Sequence, residues 1–217
     1  MLTLPLLSDP SLRRVLCLGA HCDDVEIGMG ATLAQLCAAR PELEIAVCVL
    51  TGNDVRSAET TSALEEMMAG HAPHKIDIQN FRNGHFPWHA TDIKAHIETY
   101  KEFDPQLVFT HYRQDHHQDH RTVSELTANT FRDHLVLEYE ILKYDPDLGN
   151  PNVFVPVTRE QLDAKIDILM RSFPSQADKQ WFTADVFSSM ARIRGVHSAS
   201  PTGFAEAFYA NKISLSM

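Results

Sequence analysis

Cysteine is scarce and unpatterned in this chain. Its four residues, Cys17, Cys22, Cys37 and Cys48, form no C-x-x-C pair, and three of them lie in apolar runs. That usage argues against a disulfide framework and fits buried free thiols in a reducing cytoplasm, the compartment expected here. Positive charge is also short, with 19 Lys and Arg against 29 Asp and Glu for a net charge of -10. Nucleic acid and anionic membrane, which both demand basic patches, are thereby excluded as the main partner, although a local basic spot can still bind an anionic substrate group. No stretch approaches the roughly 18 apolar residues a membrane span requires. The segment Met1–Leu7 is apolar but brief, lacks a basic region and is followed by Asp9 and Pro10, so no signal peptide is expected. Glycine-rich phosphate cradles are missing as well. Gly19, Gly28 and Gly30 do not fit G-x-G-x-x-G, there is no P-loop, and the turn they flank is acidic where a phosphate would need neutral groups and backbone amides.

What the chain does have is alternation. Apolar runs at 14–19, 44–50, 75–79, 106–110 and 136–143 read as strands, with helical periodicity over 26–39, 57–69, 91–101 and 119–131 between them. A further helix is predicted over 158–170, where Thr158 followed by Gln161 has the pattern of a capping box. The stretch 145–156, with Pro146, Gly149, Pro151 and Pro156, reads as loop. Strands alternating with helices imply βαβ units, an α/β fold and a mostly parallel sheet. At 217 residues, with no repeat or linker, one domain spanning 1–217 is expected.

Two of the predicted strands end in polar clusters. Ala20-His21-Cys22-Asp23-Asp24 follows the first, and His111, His116, His117 and His120 lie in the twelve residues from Thr110 that close the fourth. Strand ends of open α/β sheets are where ligands bind. Alone, an Asp-Asp pair is commonly a helix cap, and a His-x-x-His is commonly solvated. Together the clusters supply a histidine, a carboxylate and a second histidine, the ligand set of a catalytic zinc with an open fourth position, and leave one carboxylate free to take a proton from water. His111 and His116 are expected outside the ligand set, behind it or facing solvent. Phe81, Phe86 and Trp88, near the Asn83-Gly84 turn, are expected to pack in the core rather than floor a sugar pocket.

The motifs also resemble a known family. Ala20-His21-Cys22-Asp23-Asp24 is similar to the A-H-P-D-D motif of the PIG-L/LmbE-like zinc-dependent N-acetylglucosaminyl deacetylases, and His117-Gln118-Asp119-His120-Arg121 to their H-P-D-H-R motif. Arg194-Gly195 and Phe204-Ala205-Glu206-Ala207-Phe208 resemble the late R-G…Y-A-E-A-F segment, and Thr51-Gly52 and Arg56 fall near the family's loop after the second strand. Cys22 and Gln118 replace the two usual prolines, and Asn53-Asp54 stands where a glutamate is common. The resemblance implies a Rossmann-like three-layer sandwich in which His21, Asp24 and His120 hold zinc, with ferrous iron as the alternative. It implies Asp23 as general base, His117 as the group that polarises or protonates, and Asp119 as its orienting partner. The implied substrate is a small N-acetylated amino sugar of the N-acetylglucosamine type or its conjugate. Arg56 and Arg194 are the candidates for binding its hydroxyls or an anionic aglycone. An amidase acting on a thiol conjugate and a non-catalytic sugar-binding module with a metal are the alternative functions. A homo-oligomer is compatible with all three.

Overall fold

The computed structural model describes every residue except 1, 2, 6, 8, 72, 73 and 215–217, so part of the apolar Met1–Leu7 segment lies outside the described residues. Strands β1 (Arg14–His21), β2 (Glu44–Thr51), β3 (His74–Ile78), β4 (Leu107–His111) and β5 (Leu135–Tyr139) alternate with helices α1 (Asp24–Ala39), α2 (Asp54–Met67), α3 (Ala90–Glu98) and α4 (Gln118–Thr130). They are followed by β6 (Val153–Val157), α5 (Arg159–Ser172), α6 (Ala184–His197) and β7 (Phe204–Ala210). One seven-stranded sheet results, in the order β3-β2-β1-β4-β5-β7-β6. The first five strands are parallel, and β7 runs antiparallel to both β5 and β6. Among the described residues no helix is long and apolar enough to cross a membrane.

The period of two along each strand sends alternate side chains to opposite faces. Val15, Cys17, Val47 and Phe109 face one core with α1, α2, α5 and α6, while Leu16, Leu18, Cys48 and Val108 face the other with α3 and α4. These two cores make the three layers. All four cysteines are free and buried, as their apolar settings suggested. Thr158 and Gln161 form the capping box read from the sequence. Phe81 and Phe86 pack on the second core, whereas Trp88 is 73% exposed.

Two expectations are corrected. The stretch 145–156 is not all loop, because β6 begins at Val153 and carries Pro156 within it. β6 is an edge strand paired only to β7, and an edge strand tolerates the missing N–H of proline. The predicted strand over 136–143 stops at Tyr139, after which the chain turns outward toward the cleft described below.

The late segment that carried the third sequence resemblance is structural. Helix α1 is broken at Met29 (φ -147°, ψ 16°), which strips partners from backbone groups on both sides of the break. Glu206 on β7 accepts from the amides of Ala31 (3.1 Å) and Thr32 (2.6 Å). Lys165 on α5 donates to the carbonyl of Ile27 (2.6 Å) and to Glu206 (2.5 Å). The buried pair thus splices the two halves of the helix that carries Asp24. Gly195 lets α6 lie against β7: a Cβ there would meet the Gly203 carbonyl oxygen at 2.2 Å, and backbone cannot yield.

Glu206→Ala would leave Lys165 charged and unpaired in the interior together with two orphaned amides. It is expected to destabilise the fold by about 3–5 kcal/mol, read as a lower urea midpoint at unchanged slope.

Candidate active site

The order of strands reverses beside β1, whose neighbours are β2 on one side and β4 on the other. This is a topological switch point, and the crevice at the carboxyl ends of the strands opens there. The chain leaves β1 at His21, passes through Cys22 and Asp23, and enters α1 at Asp24. Asp23 occupies the cap position with φ 108° and makes no side-chain cap bond. A non-glycine residue in the left-handed region is strained by about 1–3 kcal/mol, and such strain collects at functional sites. Here it separates two adjacent carboxylates. Asp24 turns inward, where its Oδ2 accepts from the His21 amide (2.6 Å), while Asp23 faces Arg56 (3.0 Å).

The two predicted histidine ligands are each held from behind by a carboxylate. His21 Nε2 lies 3.2 Å from Asp119 Oδ2, and His120 Nδ1 lies 2.9 Å from Asp115 Oδ2. These contacts turn His21 Nδ1 and His120 Nε2 toward each other at 3.1 Å, hydrogen-bond distance; against the cost of burial, Asp24 and Asp119 push His21 up to about 10, so a cation bound there would displace the proton between the two rings. Asp24 completes the group, with Oδ2 3.4 Å from His21 Nδ1 and Oδ1 3.6 Å from His120 Nε2. Two acceptor nitrogens and a carboxylate at such separations fit ligands that share one cation at about 2 Å each. Carboxylates behind both rings are the usual outer partners of metal-binding histidines. The donor set, two imidazoles and a carboxylate, suits zinc or ferrous iron equally.

His111 also comes within reach of Asp24 and His120. It is fully buried, stacks on the His120 ring at 4.0 Å between centroids, and takes the Ala20 amide on Nε2 (2.9 Å), which removes that nitrogen from the ligand set. His116 is exposed. His111 Nε2 nonetheless stands 3.2 Å from Asp24 Oδ2, nearer than His21 or His120, so His111 adjoins the group while His116 does not reach it.

Asp119 behaves differently from the expectation. Its carboxylate is spent on His21 and on the amides of Gly84 (2.6 Å) and Phe86 (3.1 Å), so its side chain orients His21 rather than His117. Only its backbone amide reaches His117, donating to Nδ1 at 3.3 Å. That bond leaves the proton of His117 on Nε2. Burial, with His21 nearby, holds His117 below its ordinary value, so the ring is a neutral donor. Its centroid lies 4.8 Å from that of His21 and 4.6 Å from that of His120.

The arginines part company. Arg56 lines the cleft, but its guanidinium is engaged by Asp23, by the Cys22 carbonyl and, at 3.7 Å, by Glu59. Arg194 is not brought to this site at all. It is buried and doubly bonded to Glu140 (2.6 Å each) beside a separate small cavity, where the ion pair anchors α6 to the segment after β5. An arginine's place in a motif does not say which carboxylate it will find.

Electrostatics drive the paired carboxylates apart. Burial pushes Asp23 up, to about 7, with Arg56 opposing and Asp24 adding to the rise. Asp24 is buried too, but its three histidine neighbours hold it well below the ordinary range. Glu26, two residues on and fully buried, is pushed up to about 8 by burial, stays neutral and adds no third charge. Of two adjacent carboxylates with such separated proton affinities, one is suited to a cation and the other to exchanging a proton.

Residues not assigned from the sequence complete the site. Asp115 holds His120, and is itself held by Lys143 (2.9 Å), which also binds Asp147 (2.5 Å). The replaced prolines have found other work. Gln118 donates to the Gly84 carbonyl and ties the Asn83–Gly84 turn to α4, while Cys22 directs its thiol to the Thr51 carbonyl (3.5 Å). Over the whole lies an open cleft of about 420 Å³, with His21, Asp23, Asp24, His117 and His120 at its floor.

Comparison with known proteins gives these features a lineage. The PIG-L family profile, described as GlcNAc-PI de-N-acetylase, matches residues 16–131. The Escherichia coli K12 protein described as uncharacterized deacetylase YaiS is 28% identical over 184 residues, covering 76% of this chain and 94% of its own. The N,N'-diacetylchitobiose deacetylase of Pyrococcus horikoshii shares the fold, with a TM-score of 0.68 at 19% identity over 92% of this chain and 84% of its own. So does GalB, the 4-carboxy-2-hydroxymuconate hydratase of Pseudomonas putida KT2440, with a TM-score of 0.72 at 15% identity over 95% and 99%. The fold alone therefore accommodates more than one chemistry, and it is the family profile, over the span that contains both polar clusters, that places this chain: it belongs to the PIG-L family of deacetylases.

Proposed function

We propose that the protein is a metal-dependent N-deacetylase that hydrolyses the N-acetyl group of an N-acetylglucosamine-type sugar or its conjugate. The observation that carries this reading is the convergence of His21 Nδ1, His120 Nε2 and Asp24 on one point, beside a carboxylate, Asp23, kept out of that group. The open cleft above them favours an enzyme over a closed structural metal site.

His21, Asp24 and His120 would hold the ion, zinc or ferrous iron, which when bound polarises the amide carbonyl and makes the attacking water more acidic. Asp23 accepts the proton that the water gives up as its oxygen bonds to the acetyl carbon. The Nε2–H of His117 donates to the oxygen on which negative charge develops. Asp119 holds His117 through its amide and His21 through its carboxylate, so one residue sets both rings. As the C–N bond breaks, Asp23 returns its proton to the departing nitrogen, and acetate and a free amine result. A base with affinity near 7 is suited to both transfers at neutral pH.

Assay of acetate release from N-acetylated sugars tests the activity directly, and acetate release from none of them overturns the reading. Asp23→Asn keeps size and polarity but removes the base. It should retain metal by elemental analysis while kcat falls by about 10²-fold or more. His120→Ala should lose most of its metal and remain folded, since a core of this size does not depend on the ion.

The pH profile follows from the Asp23–Arg56 pair. Asp23 must be ionised to accept a proton, so kcat/KM falls as pH drops through its pKa. Arg56 holds that value down. Arg56→Gln removes the restraint and is expected to move the acid limb to higher pH, while a residue that only binds substrate would alter KM and leave the limb in place.

A further inference from the structure

The outer wall of the cleft is built by the segment between α5 and α6, beyond the residues that match the family profile. Its ends are anchored by Phe173 and Phe182, both buried. Ser175 donates from its amide (3.0 Å) and its hydroxyl (2.5 Å) to Glu59, the carboxylate that also flanks Arg56. The wall is thus tied to α2 and presents Lys179 and Trp181 to the cleft.

Three cations line this cleft, and they are not equivalent. Arg56 is paired with Asp23, and Lys143 with Asp115 and Asp147. Lys179 has no ion-pair partner among the described residues, and its Nζ stands 5.3 Å from the centroid of the Trp181 ring. Its charge is nonetheless felt at Asp23 across the cleft. Of the carboxylates lining the cleft, Asp23 is engaged by Arg56 and Asp24 by histidines, and Asp145 stands on the wall after β5. A chain with net charge -10 repels anions at a distance, so a cation left unpaired inside its cleft is a local site for one. The Trp181 indole also lines the cleft, and with Phe182 and the core behind it and the ammonium over its ring it holds Lys179 in place.

We propose that Lys179, held over the Trp181 indole, binds an acidic substituent on the amino sugar, a phosphate monoester or a carboxylate; this rests on the amino-sugar deacetylase reading and names its substrate class. Asp145, Asn53 and Asn83, which also line the cleft, are placed to receive the hydroxyls.

The test separates binding from turnover. Calorimetric titration of the metal-loaded protein with three amines that cannot be deacetylated, glucosamine, glucosamine 6-phosphate and muramic acid, reads anion recognition directly. At low salt at least one acidic sugar should bind about tenfold tighter than glucosamine, and the preference should fade as salt rises. Whether the phosphate or the carboxylate is preferred identifies the source of the anion. Lys179→Gln should bring the ratio to near one, Lys179→Arg should restore it, and Trp181→Ala, which removes the support of the lysine, should lower the ratio and leave glucosamine binding unchanged. A wild-type protein with no acidic preference, or a preference that survives Lys179→Gln, overturns the proposal. Acetate release from the N-acetyl forms is measured in parallel. If none is hydrolysed while the Lys179-dependent preference persists, the deacetylase reading falls and the anion site stands.

Discussion

The arrangement around His21 and His120 is the constraint to which the rest of the site answers. Each ring commits one nitrogen to a carboxylate behind it, Asp119 or Asp115, and aims the other at a common point. Two ring nitrogens 3.1 Å apart need a shared proton or a cation between them, and the orientation that brings them together is imposed by the surroundings. Asp119 is pinned by the amides of Gly84 and Phe86, and Asp115 by Lys143. The turn at 83–86, the start of α4 and the segment after β5 therefore all bear on two ring orientations.

A second constraint runs through α1. The helix must begin at the site, where strained Asp23 parts two carboxylates, yet it breaks at Met29, about one and a half turns later. Glu206 and Lys165 bridge that break from β7 and α5. Gly28 at the break also admits the Tyr139 ring, which a Cβ would meet at 2.3 Å. The kink brings the helix close to β5, and Tyr139 in turn donates to the Leu18 carbonyl on β1 (2.7 Å). Elements late in the chain thus stabilise the position of a helix whose first turn lies at the candidate site.

Electrostatics explain how neighbouring acids can take different parts. Asp24 and Asp23 are adjacent and both buried, but three imidazoles crowd the first, while the second has Arg56 as its ion-pair partner, with His21 and Lys179 adding weaker pulls. The first environment keeps a carboxylate charged and suited to a cation, and the second keeps it poised to exchange a proton. The same distinction separates Arg56, next to Asp23, from Arg194, which meets Glu140 in a different part of the fold.

Much of this was written in local pattern. Strand and helix periods over residues 14–131 set the parallel sheet, because a period of two or of 3.6 is a property of neighbouring residues. The two polar clusters announced themselves by following apolar strands, since parallel sheets open their ligand crevice at those ends. Thr158 and Gln161 declared a helix start for the same local reason. What the sequence did not determine depends on partners distant along the chain. β6 owes its existence to pairing with β7, which outweighs Pro156 at an edge. The contact of Asp119 with His21, 98 residues away, and of Arg194 with Glu140, 54 away, follow from how helices seat on the sheet. Lys179 was one charge among 19 until the fold placed it on the cleft, unpaired, above an indole. Residue type and spacing specify what chemistry a chain can perform; only packing decides which charge is neutralised and which is left for a ligand.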